Sequence, residues 1–248
     1  MLLQLATWQE VDAYLERSRG VIVPIGSTEQ HGPLGLIGTD AICPEVIARG
    51  VAERIDALVA PTISIGMAQH HLAFAGSVSL RPSTLIAVVR DVVQSLTRHG
   101  FERCYFLNGH GGNVATVTAA FSEIYSDASF AREGGNQPSV RCKLSNWYTA
   151  PGVKALSQQL FGSSEGSHAT PSEISLTNFA YPDAVKSAPQ TPRLAPNGPI
   201  LDADDYRRRF PDGRIGADSS LASIEAGEKL YEAAVSDIAT DYQAFLNA

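Results

Sequence analysis

Six titratable side chains that could carry chemistry stand in three short polar stretches of this 248-residue chain. They are Glu29, His31, Asp40, His110, His168 and Glu173. Imidazole and carboxylate groups bind hard to borderline divalent metals such as Zn²⁺, Mn²⁺ or Fe²⁺, and they are also common proton-transfer groups. Whether they act together depends on whether the fold brings them to one place.

The elements between the polar stretches predict an α/β fold. Short apolar runs predict buried strands, and segments with helical spacing of apolar residues lie between them. The predicted strands are Val21–Ile25, Leu58–Ile65, Arg103–Leu107 and Val140–Asn146, and the predicted helices are Pro44–Ile55, Ser83–His99, Val114–Ser126 and Val153–Phe161. Repeated strand–helix–strand units predict a mostly parallel sheet between two layers of helices, a three-layer α/β/α domain.

The polar stretches follow strand ends in this arrangement. GSTEQHGPLGLIGTDA (26–41) follows the first predicted strand, NGHGGN (108–113) follows the third, and EGSHATPSE (165–173) lies beyond the fourth. Parallel sheets bind ligands beyond the carboxyl ends of their strands. We therefore expect the three stretches to meet at one edge of the sheet.

Each candidate also has an ordinary structural interpretation. Asp40 precedes a helical pattern and could cap that helix, and Glu29 and His31 could be polar residues of a loop tip. The glycines around His110 could form an anion cradle at the start of a helix, and TPSE is a capping box. Taken singly, these interpretations are favoured, whereas the joint placement of the side chains favours a metal centre.

Five of the candidates suit a centre of two metal ions. Two imidazoles and three carboxylates exceed the three protein ligands usual for one open catalytic zinc, and they fit two ions ~3.5–4 Å apart that share a carboxylate and a water. The five are Glu29, His31, Asp40, His110 and Glu173. Such a water has a lowered pKa and attacks a carbonyl carbon, while a metal polarises the carbonyl oxygen.

The composition argues against several other classes of function. The formal net charge of −7 makes nucleic acid and anionic membranes poor partners, and we expect YRRRF (206–210), the one basic cluster, to be a solvated loop. Three distant cysteines predict neither a disulfide framework nor a thiolate metal site. The N-terminus has no signal-peptide pattern, and no apolar run approaches the ~20 residues that cross a bilayer. We therefore expect a soluble, cytoplasmic protein.

The last quarter of the chain loses the alternation of strand and helix patterns. Six prolines interrupt the periodicity between Tyr181 and Asp218, which predicts a long loop that is functional or makes interfaces. A final helix is predicted over Ser219–Leu246. No linker separates two cores, so we expect one domain over residues 1–248.

Three motifs resemble those of the creatininase (creatinine amidohydrolase) superfamily. They are PIGSTEQHGP…GTDA from 24 to 41, FLNGHGGN from 106 to 113 and SHATPSEIS from 167 to 175. Weaker similarity in HHLAFAGSVSL, SNWY and IGADSSLASIEAGEKL extends the resemblance over nearly the whole chain.

The resemblance implies a single α/β/α domain, a homohexamer and a dinuclear metal centre that hydrolyses C–N bonds of small amides. His168 matches the proton-transfer histidine of the family, which protonates the leaving nitrogen. We expect Trp147 and His71 to contact the substrate. Metal ligands of the family match Glu29, His31, Asp40 and His110, with Asp40 in the bridging place.

Two departures from creatininase proper weaken the transfer of creatinine as the substrate. Gly112 stands where creatininase has a glutamate ligand, which Glu173 replaces in the NGHGGN members, and Leu34 stands where the family has a histidine. The superfamily also includes a formamide deformylase of flavin and deazaflavin biosynthesis and a peptidase of mycofactocin maturation. We therefore predict hydrolysis of a small non-peptide amide, cyclic amide or formamide. The alternatives are a peptidase of short peptides and a non-catalytic metal- or small-molecule-binding homologue.

Overall fold

The computed structural model describes residues 1–131 and 140–248 of the chain. Within them, a parallel sheet has the strand order β1 (Gly20–Ile25), β2 (Arg103–Asn108) and β3 (Arg141–Asn146). The α-helices of the described residues are α1 (Trp8–Leu15), α2 (Thr39–Ile55), α3 (Pro82–Arg98), α4 (Asn113–Phe130), α5 (Pro151–Phe161), α6 (Pro171–Ala180), α7 (Ala203–Arg209) and α8 (Ile224–Leu246).

The sheet is the middle of three layers. β1 is buried along its whole length, because alternate side chains of a strand point to opposite faces and helices cover both. Ile22, Tyr105 and Leu107 pack with α2, α5, α6 and α8 on one face. Val23 and Phe106 pack with α1, α3 and α4 on the other face. This arrangement confirms the predicted α/β architecture.

The predicted strand over Leu58–Ile65 is wrong as a continuous strand. The segment runs parallel to β1 and makes two isolated bridges to it, at Val59 and Ile63. Pro61 lies between the two bridges, and proline has no backbone N–H to donate to a ladder. The segment therefore borders β1 without forming a regular fourth strand.

The predicted helices are confirmed, with ends that shift by a few residues. α2 begins at Thr39 and carries Pro44 inside it, although a proline is more common in the first turn of a helix. This early start places Asp40 in the first turn of α2. The last helix begins at Ile224 rather than at Ser219. In the described part of the chain, no helix is both long and apolar enough to cross a membrane.

A further helix, α7, lies in the proline-rich segment that the sequence predicted as a loop. It begins after Asp202, whose carboxylate accepts a hydrogen bond from the Asp205 N–H at 2.8 Å. Tyr206 and Phe210 are buried, whereas the three arginines between them are exposed. The interpretation of YRRRF as a solvated loop is therefore wrong, because its two aromatic residues anchor a helix.

The apolar stripe of α3 provides a test of the packing against the sheet. Leu85 is fully buried there together with Val89 and Val93. Leu85→Ala leaves a cavity, so we expect the free energy of unfolding to fall by about 2–5 kcal/mol. Gln94→Ala, at an exposed position of the same helix, should change it by less than about 0.5 kcal/mol. Urea unfolding measures both variants, and equal effects would contradict the described packing.

Candidate metal centre

The three polar stretches meet at the carboxyl end of the parallel sheet. Glu29 and His31 lie in the loop after β1, and His110 lies in the loop after β2. Asp40 and Glu173 lie in the first turns of α2 and α6. Loops and helix N-termini converge at this edge, which is where such sheets bind their ligands.

Asp40 lies at the centre of this cluster. Its Oδ1 is 3.0 Å from Nε2 of His31, and its Oδ2 is 2.8 Å from Nδ1 of His110. The other ring nitrogen of His110, Nε2, lies 3.3 Å from Oε2 of Glu29. Nε2 of His31 also lies 4.0 Å from Oε2 of Glu173. Each imidazole therefore contacts Asp40 and approaches a second carboxylate.

These side chains form two possible ligand triads that share one residue. Glu29, Asp40 and His110 form one triad, with one ligand atom of each residue within 4.8 Å of the others. His31, Asp40 and Glu173 form the second triad by the same measure. The structure thus brings together all five side chains that the sequence predicted as ligands, and Asp40 is common to both groups.

The carboxylates of the cluster lack ordinary partners for buried charge. Both oxygens of Glu29 and Oδ2 of Asp40 are buried, and within the described residues their close polar partners are imidazole nitrogens. Within residues 1–131 and 140–248, the ion-pair partners of Glu29, Asp40 and Glu173 are histidines, with no lysine or arginine among them. Burying carboxylates without cations is costly. A donor set of imidazole and carboxylate fits divalent zinc, manganese or iron.

The pKa values show how strongly the cluster favours positive charge. Burial works to lower the pKa of His31, but the surrounding carboxylates, Asp40 first, raise it to about 10. Burial also works to lower the pKa of His110, but the nearby carboxylates of Glu29 and Asp40 raise it to about 9. Without a metal, protons on these two rings supply the positive charge, and metal binding to the ring nitrogens displaces such protons.

Glu173 caps a helix and faces the cluster at the same time. Its Oε1 accepts a hydrogen bond from the Thr170 N–H at 2.6 Å, and its own N–H donates to Oγ1 of Thr170 at 3.3 Å. This confirms the predicted capping box. Its Oε2 is the oxygen that approaches His31, and burial raises the pKa of Glu173 to about 7. Capping therefore does not exclude metal ligation.

Asp40 does not cap α2, so the capping interpretation of this residue is wrong. The N-cap is Gly38, and no side chain caps this helix. The Asp40 carboxylate turns to the two imidazoles instead, close to the positive end of the helix dipole. Burial works to raise the pKa of Asp40, but His31 and His110 hold it well below its usual range.

His168 lies beside the cluster with one ring nitrogen occupied and the other facing the carboxylates. Its Nε2 lies 2.8 Å from the backbone carbonyl of Gln30 and 2.9 Å from the side-chain nitrogen of the same residue. Its Nδ1 lies 3.8 Å from Oε1 of Glu29. Burial lowers the pKa of His168 well below its usual value, which keeps the ring neutral. His168 also completes a third possible triad with Glu29 and His31.

A cavity of about 660 Å³ borders the cluster. Asp40, His168 and Glu173 are among the residues that line it. Trp147, which directly follows β3, and its neighbour Tyr148 line the same cavity. Candidate ligands, the candidate proton-transfer group and one predicted substrate contact are therefore accessible from a single space.

His71 does not line this cavity. Its Nε2 lies 2.9 Å from Oε1 of Glu29, and its Nδ1 lies 2.9 Å from the side-chain nitrogen of Gln30. Burial lowers the pKa of His71 to about 2, so the ring is neutral. The substrate contact of His71 stays a prediction. Sequence reasoning did not single out Gln30, because an uncharged residue between two candidate ligands in EQH offers no chemical signal of its own.

Comparisons with known proteins agree with the motifs. A family model described as "Creatininase: Creatinine amidohydrolase" matches residues 4–241. A creatinine amidohydrolase of Pseudomonas putida is 30% identical over 248 residues, covering 94% of this chain and 92% of that protein. A mycofactocin precursor peptide peptidase of Mycolicibacterium smegmatis is 38% identical over 106 residues, covering 40% of this chain and 42% of the peptidase.

The fold comparison gives the same result. A glutamate-to-glutamine mutant of creatininase, of the Zn–Zn type, has a TM-score of 0.85 and 26% identity, covering 100% of this chain and 98% of the mutant. The family match spans the three motifs that supply the buried carboxylates and imidazoles of the cluster. The chain belongs to the creatininase family.

Proposed function

We propose that this protein is a metal-dependent amidohydrolase that cleaves a C–N bond in a small non-peptide amide, cyclic amide or formamide. The observation that carries the proposal is the pair of ligand triads that share Asp40. Membership of a family of hydrolases supports it, as does the relative from P. putida that is named for the hydrolysis of creatinine, a cyclic amide.

Two divalent ions of zinc, manganese or iron would be held by the five side chains of the cluster. Glu29 and His110 would ligate one ion, and His31 and Glu173 the other, with Asp40 shared between them. The oxygens of Glu29 and Asp40, buried with imidazoles as their close partners, support this assignment, as does the Zn–Zn form of the related creatininase. When bound, such ions polarise a substrate carbonyl and lower the pKa of water.

His168 is the group that we propose to move the proton. We assign the proton of the neutral ring to Nε2, which contacts the Gln30 carbonyl, so that the lone pair of Nδ1 faces the carboxylates. Nδ1 accepts a proton from water as the water attacks the carbonyl carbon, and it delivers that proton to the leaving nitrogen. Its position on the wall of the cavity supports this role.

The cavity suits a small substrate. Its volume of about 660 Å³ lies within the range of small-molecule sites, which is roughly 300–1,000 Å³. Trp147 and Tyr148 give it an aromatic wall that could pack against a planar amide. We therefore retain Trp147 as the proposed substrate contact.

A second candidate is a peptidase that acts on a short peptide. The local match of 38% identity to a mycofactocin precursor peptide peptidase favours it, although that match covers 40% of this chain. Both candidates use the same cluster and the same proton-transfer group. Cleavage of short peptides, without hydrolysis of formamides or cyclic amides, would select the peptidase.

The resemblance extends the proposal to a cytoplasmic homo-oligomer. The family is commonly hexameric, and we expect a homohexamer of this chain in solution. Light scattering coupled to gel filtration measures the mass directly. A monomeric mass at micromolar concentration would contradict this expectation.

Substitution of Asp40, the proposed shared ligand, should remove more metal than substitution of Glu173, which belongs to one triad. Asp40→Ala removes one ligand from both triads, so we expect both ions to be lost. Glu173→Gln weakens one triad and should leave about one ion per chain, against about two in the wild type. Plasma mass spectrometry of the dialysed proteins measures metal content per chain.

Glu165→Gln is the matched control for these metal measurements. Glu165 is a partly buried carboxylate on the wall of the same cavity, but it belongs to neither triad. This variant should keep both ions. Wild-type metal content in Asp40→Ala would contradict the proposal that Asp40 is the shared ligand.

His168→Ala should keep its metal and lose turnover. Removing a general acid–base group lowers kcat by about 10²–10⁴-fold, while the Asp40 triads stay complete. Turnover is measured on formamides, cyclic amides including creatinine, and short peptides. His99→Ala, an exposed histidine after α3, is the control and should retain activity.

The panel also tests the proposed function itself. Hydrolysis of no amide by the metal-loaded wild type would contradict an amidohydrolase. Full turnover by His168→Ala would leave the hydrolase in place and remove His168 from the mechanism.

A further inference from the structure

The side-chain amide of Gln30 is fixed by two backbone groups. Its Oε1 accepts a hydrogen bond from the Gly32 N–H at 2.8 Å, and its Nε2 donates to the Gly213 carbonyl at 3.0 Å. An N–H can only donate and a carbonyl can only accept, so these two contacts determine which amide atom is oxygen and which is nitrogen. Gln30 is 8% exposed, which keeps water from replacing either partner.

The nitrogen of this amide lies against two imidazoles. Nε2 of Gln30 is 2.9 Å from Nδ1 of His71 and 2.9 Å from Nε2 of His168. We assign the proton of His168 to Nε2, which then donates to the Gln30 carbonyl at 2.8 Å and accepts no proton from the amide. One amide proton goes to the Gly213 carbonyl, and Nδ1 of His71, at 2.9 Å, is nearer to the amide nitrogen than the Tyr206 hydroxyl at 3.3 Å. An amide nitrogen does not accept a hydrogen bond, so this contact requires a lone pair on Nδ1. Nδ1 of His71 is therefore the unprotonated nitrogen of that ring.

Both imidazoles then present defined atoms to the same carboxylate. His71, unprotonated at Nδ1, carries its proton on Nε2, which lies 2.9 Å from Oε1 of Glu29. His168, protonated at Nε2, directs its unprotonated Nδ1 toward the same oxygen at 3.8 Å. One residue, Gln30, thus contacts both rings that flank Oε1 of Glu29.

We propose that Gln30 is a positioning residue that fixes the tautomer of His71 and the orientation of His168 around the proposed metal ligand Glu29. The role of Gln30 in turnover rests on the proposed hydrolase function, whereas its role in setting the ring tautomer does not. Groups that orient metal ligands from outside typically change activity or metal affinity by 10–100-fold when removed. We place Gln30 in that class.

The segment around Gly213 is shaped to hold this amide. Gly213 has φ of 89°, and a Cβ at this position would collide with the side chain of Gln30. The hydroxyl of Tyr206 donates to the same Gly213 carbonyl at 2.7 Å and lies 3.3 Å from Nε2 of Gln30. The Gly213 carbonyl and the buried Tyr206 hydroxyl therefore both contact the Gln30 amide, and a residue larger than glycine at 213 would displace it.

Two variants of Gln30 distinguish the hydrogen bonds of its amide from the packing of its side chain. Gln30→Met keeps the approximate size and removes every hydrogen bond of the side chain, while the backbone contacts of residue 30 remain. Gln30→Glu keeps an acceptor for the Gly32 N–H but presents an acceptor to Nδ1 of His71, which must then hold the proton. We expect both variants to keep wild-type metal content and to lose about 10–100-fold in kcat, with KM little changed.

Ser77→Ala is the control for a purely structural effect. Oγ of Ser77 accepts from the backbone N–H of Gln30 at 3.1 Å, so it anchors the same loop without touching either ring. We expect this variant to keep kcat. A loss in Ser77→Ala equal to that in Gln30→Met would show that loop anchoring, rather than ring positioning, accounts for the effect and would overturn the proposal.

The decisive readout is the protonation of the rings, which does not require turnover. Multiple-bond ¹H–¹⁵N spectra of zinc-supplemented protein labelled with ¹⁵N-histidine identify the protonated nitrogen of each imidazole. We expect the proton of His71 on Nε2 in the wild type and on Nδ1 in Gln30→Glu. An unchanged His71 tautomer in Gln30→Glu would overturn the proposal. A wild type that shows the expected tautomer but hydrolyses no amide would contradict the proposed function alone.

Discussion

The burial of three carboxylates around one pair of histidines constrains this whole end of the sheet. Glu29, Asp40 and Glu173 have no lysine or arginine as ion-pair partners within residues 1–131 and 140–248. Such a group of charges is stable in a protein interior only when cations offset it. The N-termini of α2 and α6 contribute partial positive charge near two of the three, and bound divalent metal would contribute the rest.

The sequence contains enough information to predict the candidate ligands but not the contacts around them. The five candidates could be predicted because strand ends of a parallel sheet converge, whatever the lengths of the intervening helices. The sequence alone could not decide whether Glu173 caps a helix or ligates a metal, because its two oxygens have different partners. Oε1 accepts the capping hydrogen bond, and Oε2 faces His31. Gln30 could not be found in this way, since the Gly213 carbonyl that fixes its amide lies 183 residues further along the chain.

The departure from creatininase proper at Gly112 also has a physical basis in this chain. A Cβ at Gly112 would lie 2.7 Å from the Met67 carbonyl oxygen and would collide with the His110 ring, so a side chain does not fit there as the loop stands. The carboxylate that approaches His31 comes instead from Glu173 on α6. The proposed ligand set thus keeps its composition while one member is supplied by a different element.

The most direct test of this account is anomalous X-ray diffraction from crystals of the metal-loaded protein, measured on both sides of the metal absorption edge. The account predicts two anomalous peaks per chain on either side of the Asp40 carboxylate, one beside Glu29 and His110 and the other beside His31 and Glu173. No peak at this cluster after saturation with zinc, manganese and iron in turn would contradict the account, because the buried carboxylates would then be balanced by protons alone.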